Sequence, residues 1–311
     1  MPMMKAVRMH AFGGPEVLHY EDAPRPQLAE GEVLVRVHAA GINPVDWKIR
    51  EGYRKEKLQH LLPLIPGWDV AGVVEALGPG ASRLQIGDKV FSRPDLNRNG
   101  AYAEFIVIRE MEVALKPRSI DYLHSAAVPL AGLTAWQALF DAGGLKTGQR
   151  VLIHAAAGGV GIMAVQLAKW RGAEVIGTAS VRNRDFLHGL GVNQFIDYQA
   201  ERFEEVVHGV DLVLDTMGGE IQDRSWKVLK PGGILVSIVR PPPDTPVVPG
   251  VRQAFVFVQP NAGQLAQLAM LVDSGKLKVV VDTVLPLAEA ARAQELNRVG
   301  HTRGKIVLTV P

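Results

Sequence analysis

The residues best suited to chemistry lie in the stretch 150–180, RVLIHAAAGGVGIMAVQLAKWRGAEVIGTAS. A short apolar run, 151–153, enters His154-Ala155-Ala156-Ala157-Gly158-Gly159-Val160-Gly161. In the dinucleotide fingerprint G-x-G-x-x-G the first glycine position falls on Ala156, and Gly158 and Gly161 occupy the other two. Gly158 stands where backbone must come close to phosphate, and Gly161 where a side chain would hold helix and strand apart. Ala157, Gly158, Gly159, Val160 and Gly161 are therefore candidate pyrophosphate contacts. Their backbone N–H groups at a helix N-terminus are the donors an anion needs.

The flavour of dinucleotide is set further along. An NAD site usually carries Asp or Glu roughly 20 residues beyond the glycines, to hold the ribose hydroxyls. Here that place reads Gly177-Thr178-Ala179-Ser180, followed by Val181-Arg182-Asn183-Arg184. Hydroxyls and guanidinium groups without a carboxylate suit a 2'-phosphate, because Arg donates a planar, charge-assisted fork to phosphate oxygens. NADPH is the expected cofactor, with Thr178, Ser180 and Arg182 beside it. Asp185 falls a turn into the next expected helix and reads as a surface residue. Asp215, in Asp215-Thr216-Met217-Gly218-Gly219, ends a strand at the edge where open α/β sheets place ligands.

Elements of the right kind surround these residues. Ile162, Val165, Leu167 and Ala168 recur at helical spacing until Gly172, and a strand is expected over 174–178. Strand, small-residue turn, helix and strand within about 30 residues make one βαβ unit. Further strands are expected at 194–196, 212–214, 234–238 and 251–258, with helices around 203–207, 221–229 and 263–272. Pro231-Gly232-Gly233 reads as a tight turn, and 240–250 as a proline-stiffened excursion. Before residue 122 the texture differs. Alternating strands at 5–9, 33–37, 70–77, 89–91 and 102–108, punctuated by Gly and Pro, point to a compact barrel-like β domain, with one helical turn near 45–51. A helix is expected over 125–143. After residue 278, strands at 279–284 and 305–310 flank an alanine-rich helix, 287–296.

Bulk properties narrow the classes. The chain has 311 residues, enough for two domains, and 47% hydrophobic residues, enough to build their cores. Thirty-four basic against 32 acidic side chains leave a net charge of +2, which argues against nucleic acid as a partner. No signal-like segment or long uncharged apolar run occurs, so a cytoplasmic protein without membrane association is expected. There is no cysteine, which excludes disulfides and thiolate metal sites. The nine histidines are scattered, and no metal is expected.

Several motifs taken together resemble the medium-chain dehydrogenase/reductase superfamily, particularly its zinc-free quinone oxidoreductase branch, which includes zeta-crystallin and the alkenal/enone reductases. They are Met4-Lys5-Ala6-Val7, Phe12-Gly13-Gly14-Pro15-Glu16-Val17-Leu18, Gly41-Ile42-Asn43-Pro44-Val45-Asp46 and Pro66-Gly67-Trp68-Asp69. Gly87-Asp88-Lys89-Val90, Gly100-Ala101-Tyr102-Ala103-Glu104, Leu133-Thr134-Ala135 and Gly304-Lys305-Ile306-Val307-Leu308 continue the series in the same order. The resemblance implies an α/β protein: a Rossmann-type doubly wound parallel sheet plus a GroES-like β-barrel catalytic domain. The catalytic domain would comprise 1–122, completed by 278–311, and the NADP-binding domain 123–277, with the active-site cleft between them. Homodimers through the cofactor domain are common in the family.

Residue by residue, the resemblance places Asn43, Asp46, Tyr53 and Thr134 near the reacting centre, Asn43 and Thr134 also touching cofactor. Ser180, Arg182 and Tyr198 match positions that hold the adenosine 2'-phosphate. Val256 and Phe257 match a strand edge that meets the nicotinamide, and Asp215 and Lys305 join the cofactor set. Zinc-dependent relatives place Cys where this chain has Asn43 and His within the stretch now reading Gly67-Trp68-Asp69, which separates this chain from them. The implied activity is NADPH-dependent reduction of a quinone or α,β-unsaturated carbonyl by hydride transfer without zinc. The protein would supply orientation and a donor for the developing oxyanion, such as Thr134, Tyr53, a backbone N–H or water. Trp68 and Phe257 are apolar residues fit for pocket or core. The resemblance also leaves open an NADPH-binding regulatory, structural or RNA-binding protein with little turnover, and an enoyl-thioester reductase.

Overall fold

The structure, a computed structural model, describes residues 2–53, 55–58, 60–243 and 248–311. Its contacts divide it into two units. One comprises Met1–Leu130, Gln259–Gly275 and Val279–Pro311, and the other Ala131–Val258 with Lys276–Lys278. Along the chain the first unit provides β1 (Met3–Met9), β2 (Leu18–Pro24), β3 (Glu32–Gly41), α1 (Pro44–Arg50) and β4 (Val70–Leu77). It continues with β5 (Lys89–Ser92), β6 (Phe105–Arg109), β7 (Val113–Leu115) and α2 (Tyr122–Ala126). After α3 (Pro129–Trp136), the second unit provides β8 (Arg150–Ile153), α4 (Gly159–Trp170), β9 (Glu174–Ala179), α5 (Arg184–Gly189) and β10 (Gln194–Asp197). Next come α6 (Phe203–Val206), β11 (Val210–Asp215), α7 (Gly219–Ser225), β12 (Leu229–Ser237) and β13 (Arg252–Phe255). The first unit then resumes with α8 (Ala262–Asp273), β14 (Val281–Pro286), α9 (Ala290–Val299) and β15 (Lys305–Thr309).

In the first unit β1 and β2 form a hairpin, and a seven-stranded sheet runs β14-β15-β3-β4-β5-β7 with β6 also on β3. Its core gathers Val33, Val35, Val37, Val74, Ile106 and Leu308, all nearly inaccessible to water. Burying each such side chain contributes about 1.5–3 kcal/mol. The expected barrel does not close among the described residues. Residues 32–36 of β3 pair with β6 while residues 39–41 pair with β15, so the sheet branches along one strand and β14 and β7 remain its ends.

The second unit holds a six-stranded sheet, β10-β9-β8-β11-β12-β13, and every pairing in it is parallel. Strands buried on both faces need near-continuous apolar runs, as Val151-Leu152-Ile153 and Leu212-Val213-Leu214 provide. This is the doubly wound arrangement expected. Three local expectations differ. The helix expected over 125–143 is broken into α2, α3 and a π-helical turn, Gln137–Ala142, because Pro129 cannot continue a helix from before it. Pro231-Gly232-Gly233 lies inside β12 at a register shift, with Gly232 at φ 79°, rather than forming a separate turn. The strand expected over 251–258 is the shorter β13, and residues 244–247 of the preceding proline-rich stretch lie outside the described residues. Among the described residues no helix is long and apolar enough to cross a membrane.

Candidate functional site

Within the first unit, candidate residues meet where β3 ends and α1 begins. Pro44 suits the first helical position, where an N–H would lack a partner, and Asn43 is the extended cap residue at φ −135° and ψ 153°. Asn43 and Asp46 form a capping box at the start of α1. In it the Asp46 carboxylate reaches back, and its Oδ2 accepts from the Asn43 N–H at 2.7 Å and from the Tyr102 hydroxyl at 2.8 Å. Asp46 is wholly buried and its Oδ1 has no hydrogen-bond partner. Burial pushes the Asp46 carboxyl up to about 7. The Asn43 N–H, the Tyr102 hydroxyl and the Lys305 ammonium oppose that rise, while Asp69 adds to it. Asp46 can therefore hold or release a proton near neutral pH.

Beside it sits a second buried group. Lys305 donates from Nζ to the Ile42 carbonyl at 2.7 Å, to Asn43 Oδ1 and to Asp69 Oδ2 at 3.0 Å. Asn43 Nδ2 donates to the same Asp69 oxygen at 2.8 Å. The other Asp69 oxygen accepts the Leu130 N–H at 2.6 Å, in the first turn of α3. Gly67 makes the approach to Asp69 possible. It sits at φ +95°, and a Cβ there would lie 2.2 Å from the Tyr102 ring. Trp68 is fully buried and donates from Nε1 to the Arg98 carbonyl, so it is core. Tyr53 lies beyond α1, 44% exposed, with Lys48 Nζ 5.9 Å from its ring centre.

Within the second unit, the other candidates line the carboxyl edge of the parallel sheet. The turn after β8 carries Ala155 at φ 46°, and Gly158 is the extended cap of α4. A Cβ on Gly161 would lie 2.3 Å from the Ala155 carbonyl oxygen and 2.7 Å from the Ala156 backbone. Around Gly158 nothing but that same oxygen, at 3.3 Å, comes near. Helix pressed on turn, open space at Gly158 and the unpaired N–H groups of a first helical turn fit a pyrophosphate. Thr178 turns inward. Its Oγ1 meets His154 Nδ1 at 3.2 Å and the Ala155 N–H at 3.3 Å.

His154 is itself buried, and burial pushes it down to about 4. Ser225 spends its proton on the Ile221 carbonyl, so His154 donates from Nε2 to Ser225 Oγ at 2.9 Å and accepts at Nδ1 from Thr178. Asp215, also buried, accepts from the Met217 and Gly218 N–H groups, from Gln222 Nε2 and from Ser237 Oγ. It shapes the turn into α7. At the neighbouring end of β9, Ser180 is half-buried and Arg182 exposed. Tyr198 follows β10, whose Asp197 pairs with Ala179, which brings Tyr198 beside Ser180. No Asp or Glu ends β9. Val256 and Phe257 lie in a shallow, open depression with Gln137, Asp141, Ala142 and Phe255. Thr134 is buried within α3.

A parallel dinucleotide-type sheet joined in one chain to a sheet unit bearing a buried polar cluster is an arrangement found in NAD(P)-dependent oxidoreductases. Residues 29–118 match the family model described as alcohol dehydrogenase GroES-like domain, and residues 190–308 that described as zinc-binding dehydrogenase. The chain is 36% identical over 316 residues to the chloroplastic NADPH-dependent alkenal/one oxidoreductase of Arabidopsis thaliana, covering 98% of this chain and 79% of that protein. It is 32% identical over 320 residues to the quinone oxidoreductase of Sus scrofa, covering 97% and 95%. The solved structure of the quinone oxidoreductase from Coxiella burnetii matches with a TM-score of 0.92 and 37% identity over the full length of both chains. The chain belongs to the medium-chain dehydrogenase/reductase superfamily, among its quinone oxidoreductases. One matching model carries zinc in its description, yet among the described residues no three His, Cys, Asp or Glu side chains are grouped to hold a metal ion.

Asp69 and Tyr102 belong to the buried group around Asn43 and Asp46, although in the sequence both stand out only within the family motifs. Their signal was a polar side chain set inside otherwise apolar or small-residue runs, Pro66-Gly67-Trp68-Asp69-Val70-Ala71 and Gly100-Ala101-Tyr102-Ala103. His154 carries a weaker one, a lone imidazole closing an apolar strand.

Proposed function

We propose that this chain reduces a quinone or an α,β-unsaturated carbonyl with NADPH. The observation that carries this reading is the carboxyl edge of the second sheet. A turn with room for a diphosphate is followed by β9, and the residues just beyond that strand are Ser180 and Arg182 instead of an acid. Ala157, Gly158, Gly159, Val160 and Gly161 would hold the pyrophosphate. Ser180, Arg182 and Tyr198 would hold the 2'-phosphate, and Thr178 and Asp215 would shape the turns on which these groups sit. Asn43, Thr134, Val256 and Phe257 complete the cofactor contacts in this reading. NADPH, when bound, supplies the hydride. The chain's own contribution is to orient the acceptor, exclude water and provide a proton or donor for the developing oxyanion, for which Asp46, Tyr53 and Thr134 are the candidates. The substrate class rests on relatives named as quinone and alkenal/one oxidoreductases.

The same reading keeps 1–122 with 278–311 as the catalytic domain and 123–277 as the cofactor domain, in a cytoplasmic homodimer. Among the described residues β13 ends that sheet, and this reading places the second copy beside it. The test is turnover of purified protein with NADPH or NADH against a panel of quinones, alkenals and enones. NADPH oxidation with at least one acceptor, and a lower KM for NADPH than for NADH, is expected. Failure to oxidise NADPH with every acceptor would overturn the reading.

A further inference from the structure

Lys305, at the head of β15, is 5% exposed, and its ammonium has three donors. All three are committed inside the first unit, to the Ile42 carbonyl, Asn43 Oδ1 and Asp69 Oδ2. Asp69, fully buried, is equally committed, to Lys305, Asn43 Nδ2 and the Leu130 N–H. Asn43 is thereby locked in one orientation, its oxygen on the cation and its nitrogen on the anion. A flipped amide would set a donor against the ammonium and an acceptor against the carboxylate. Asn43 is tied in turn to Asp46 across the first turn of α1, where Asp46 Oδ2 takes the Asn43 N–H. Burying an ion pair costs desolvation that its attraction barely repays, so such a pair is poor value as a stabiliser and better explained by what it orients.

We propose that the Lys305–Asp69 pair is a positioning device for the reaction, fixing the Asn43 amide and, through the first turn of α1, the place and charge of Asp46. Lys305 then acts through Asn43 and Asp69, with no donor left over for a cofactor. This rests on the reading that Asn43 and Asp46 serve the reacting centre. The titratable and charged groups that face Asp46 are Tyr102, from the segment before β6, Lys305 from β15 and Asp69 from the segment before β4. Tyr102 donates to Asp46, and burial and the Asp46 charge both push its hydroxyl well above the usual range, so it stays protonated. Burial sets the direction in which the Asp46 carboxyl moves, and Lys305 and Asp69 add opposed charges that trim it, the cation lowering and the anion raising it.

The test compares Lys305→Met, Asp69→Asn and the charge-neutral double variant with the wild type. Asp46 is titrated by carbon NMR of its carboxyl, and kcat and the KM for NADPH are followed against pH. Loss of the cation should move the Asp46 midpoint up, loss of the anion should move it down, and the double variant should return near wild type. In Lys305→Met, kcat should fall roughly tenfold or more, with its pH profile displaced in step with the Asp46 midpoint. If Lys305→Met does not fold, the downward shift in Asp69→Asn and the near-normal midpoint of the double variant decide the matter. Midpoints that stay put, or that move the same way in both single variants, would overturn the proposal. So would a Lys305→Met whose kcat and pH profile match those of the wild type. If no acceptor is reduced by the wild type, the functional reading fails while the NMR titration still judges the pair.

Discussion

Ser180 and Arg182 stand where a carboxylate would favour ribose hydroxyls, and an exposed guanidinium there favours a doubly charged phosphate instead. Hydrogen bonds to a charged group are worth about 1.5–3 kcal/mol. Arg182→Ala should therefore raise the KM for NADPH roughly 10- to 100-fold and leave that for NADH nearly unchanged. Steady-state kinetics with both cofactors measure this, and an equal loss for both would show that Arg182 does not read the phosphate. These residues were legible because the end of a strand is a fixed address in a βαβ unit, readable from spacing alone. Asp69 and Tyr102 were not, since each meets Asp46 or Lys305 across long sequence separations that no periodicity encodes.

At the scale of elements, α4 and the turn before it work as one piece. Gly161 lets the helix lie against the Ala155–Ala156 backbone, and backbone cannot step aside as a flexible side chain would. Gly161→Val should cost about 1–3 kcal/mol of stability through this overpacking and displace the amides that receive phosphate. The expected outcome is a lower melting temperature together with loss of the NADPH-induced rise expected of the wild type. A variant that melts lower but keeps the full rise would separate packing from binding. The β8–α4–β9 unit was readable because its apolar periods change within one short stretch. The broken helix near 125–143 was not, because Ala126 to Leu139 satisfies a helical stripe whether or not Pro129 interrupts it.

For the whole molecule, one buried group in each unit titrates in a sense opposite to the other. His154 in the second unit has its value lowered from 6.5 to about 4, so the unfolded chain binds more protons between those values. Its contribution is complete above about 6.5 and is lost as pH falls toward 4. Asp46 in the first unit is raised from 3.8 to about 7, so there the folded state binds more protons. Its contribution is complete below 3.8 and is lost as pH rises through 7. Hydrogen exchange, corrected for intrinsic rates, should show protection of β8 and α4 falling as pH drops from 6.5 to 4. Protection of β3 and α1 should rise over the same interval, and His154→Asn or Asp46→Asn should flatten only the trend of its own unit. Trends of one sign in both units would contradict these assignments. By itself the sequence determined the dinucleotide turn, the missing acid at β9 and the strand-rich first part, because each is a local pattern of spacing, backbone freedom or side-chain chemistry. Only the tertiary structure decided that the first sheet branches at β3 rather than closing. It alone brought Asn43, Asp46, Asp69, Tyr102 and Lys305 together, since long-range pairing and burial assemble them and burial then sets their charge.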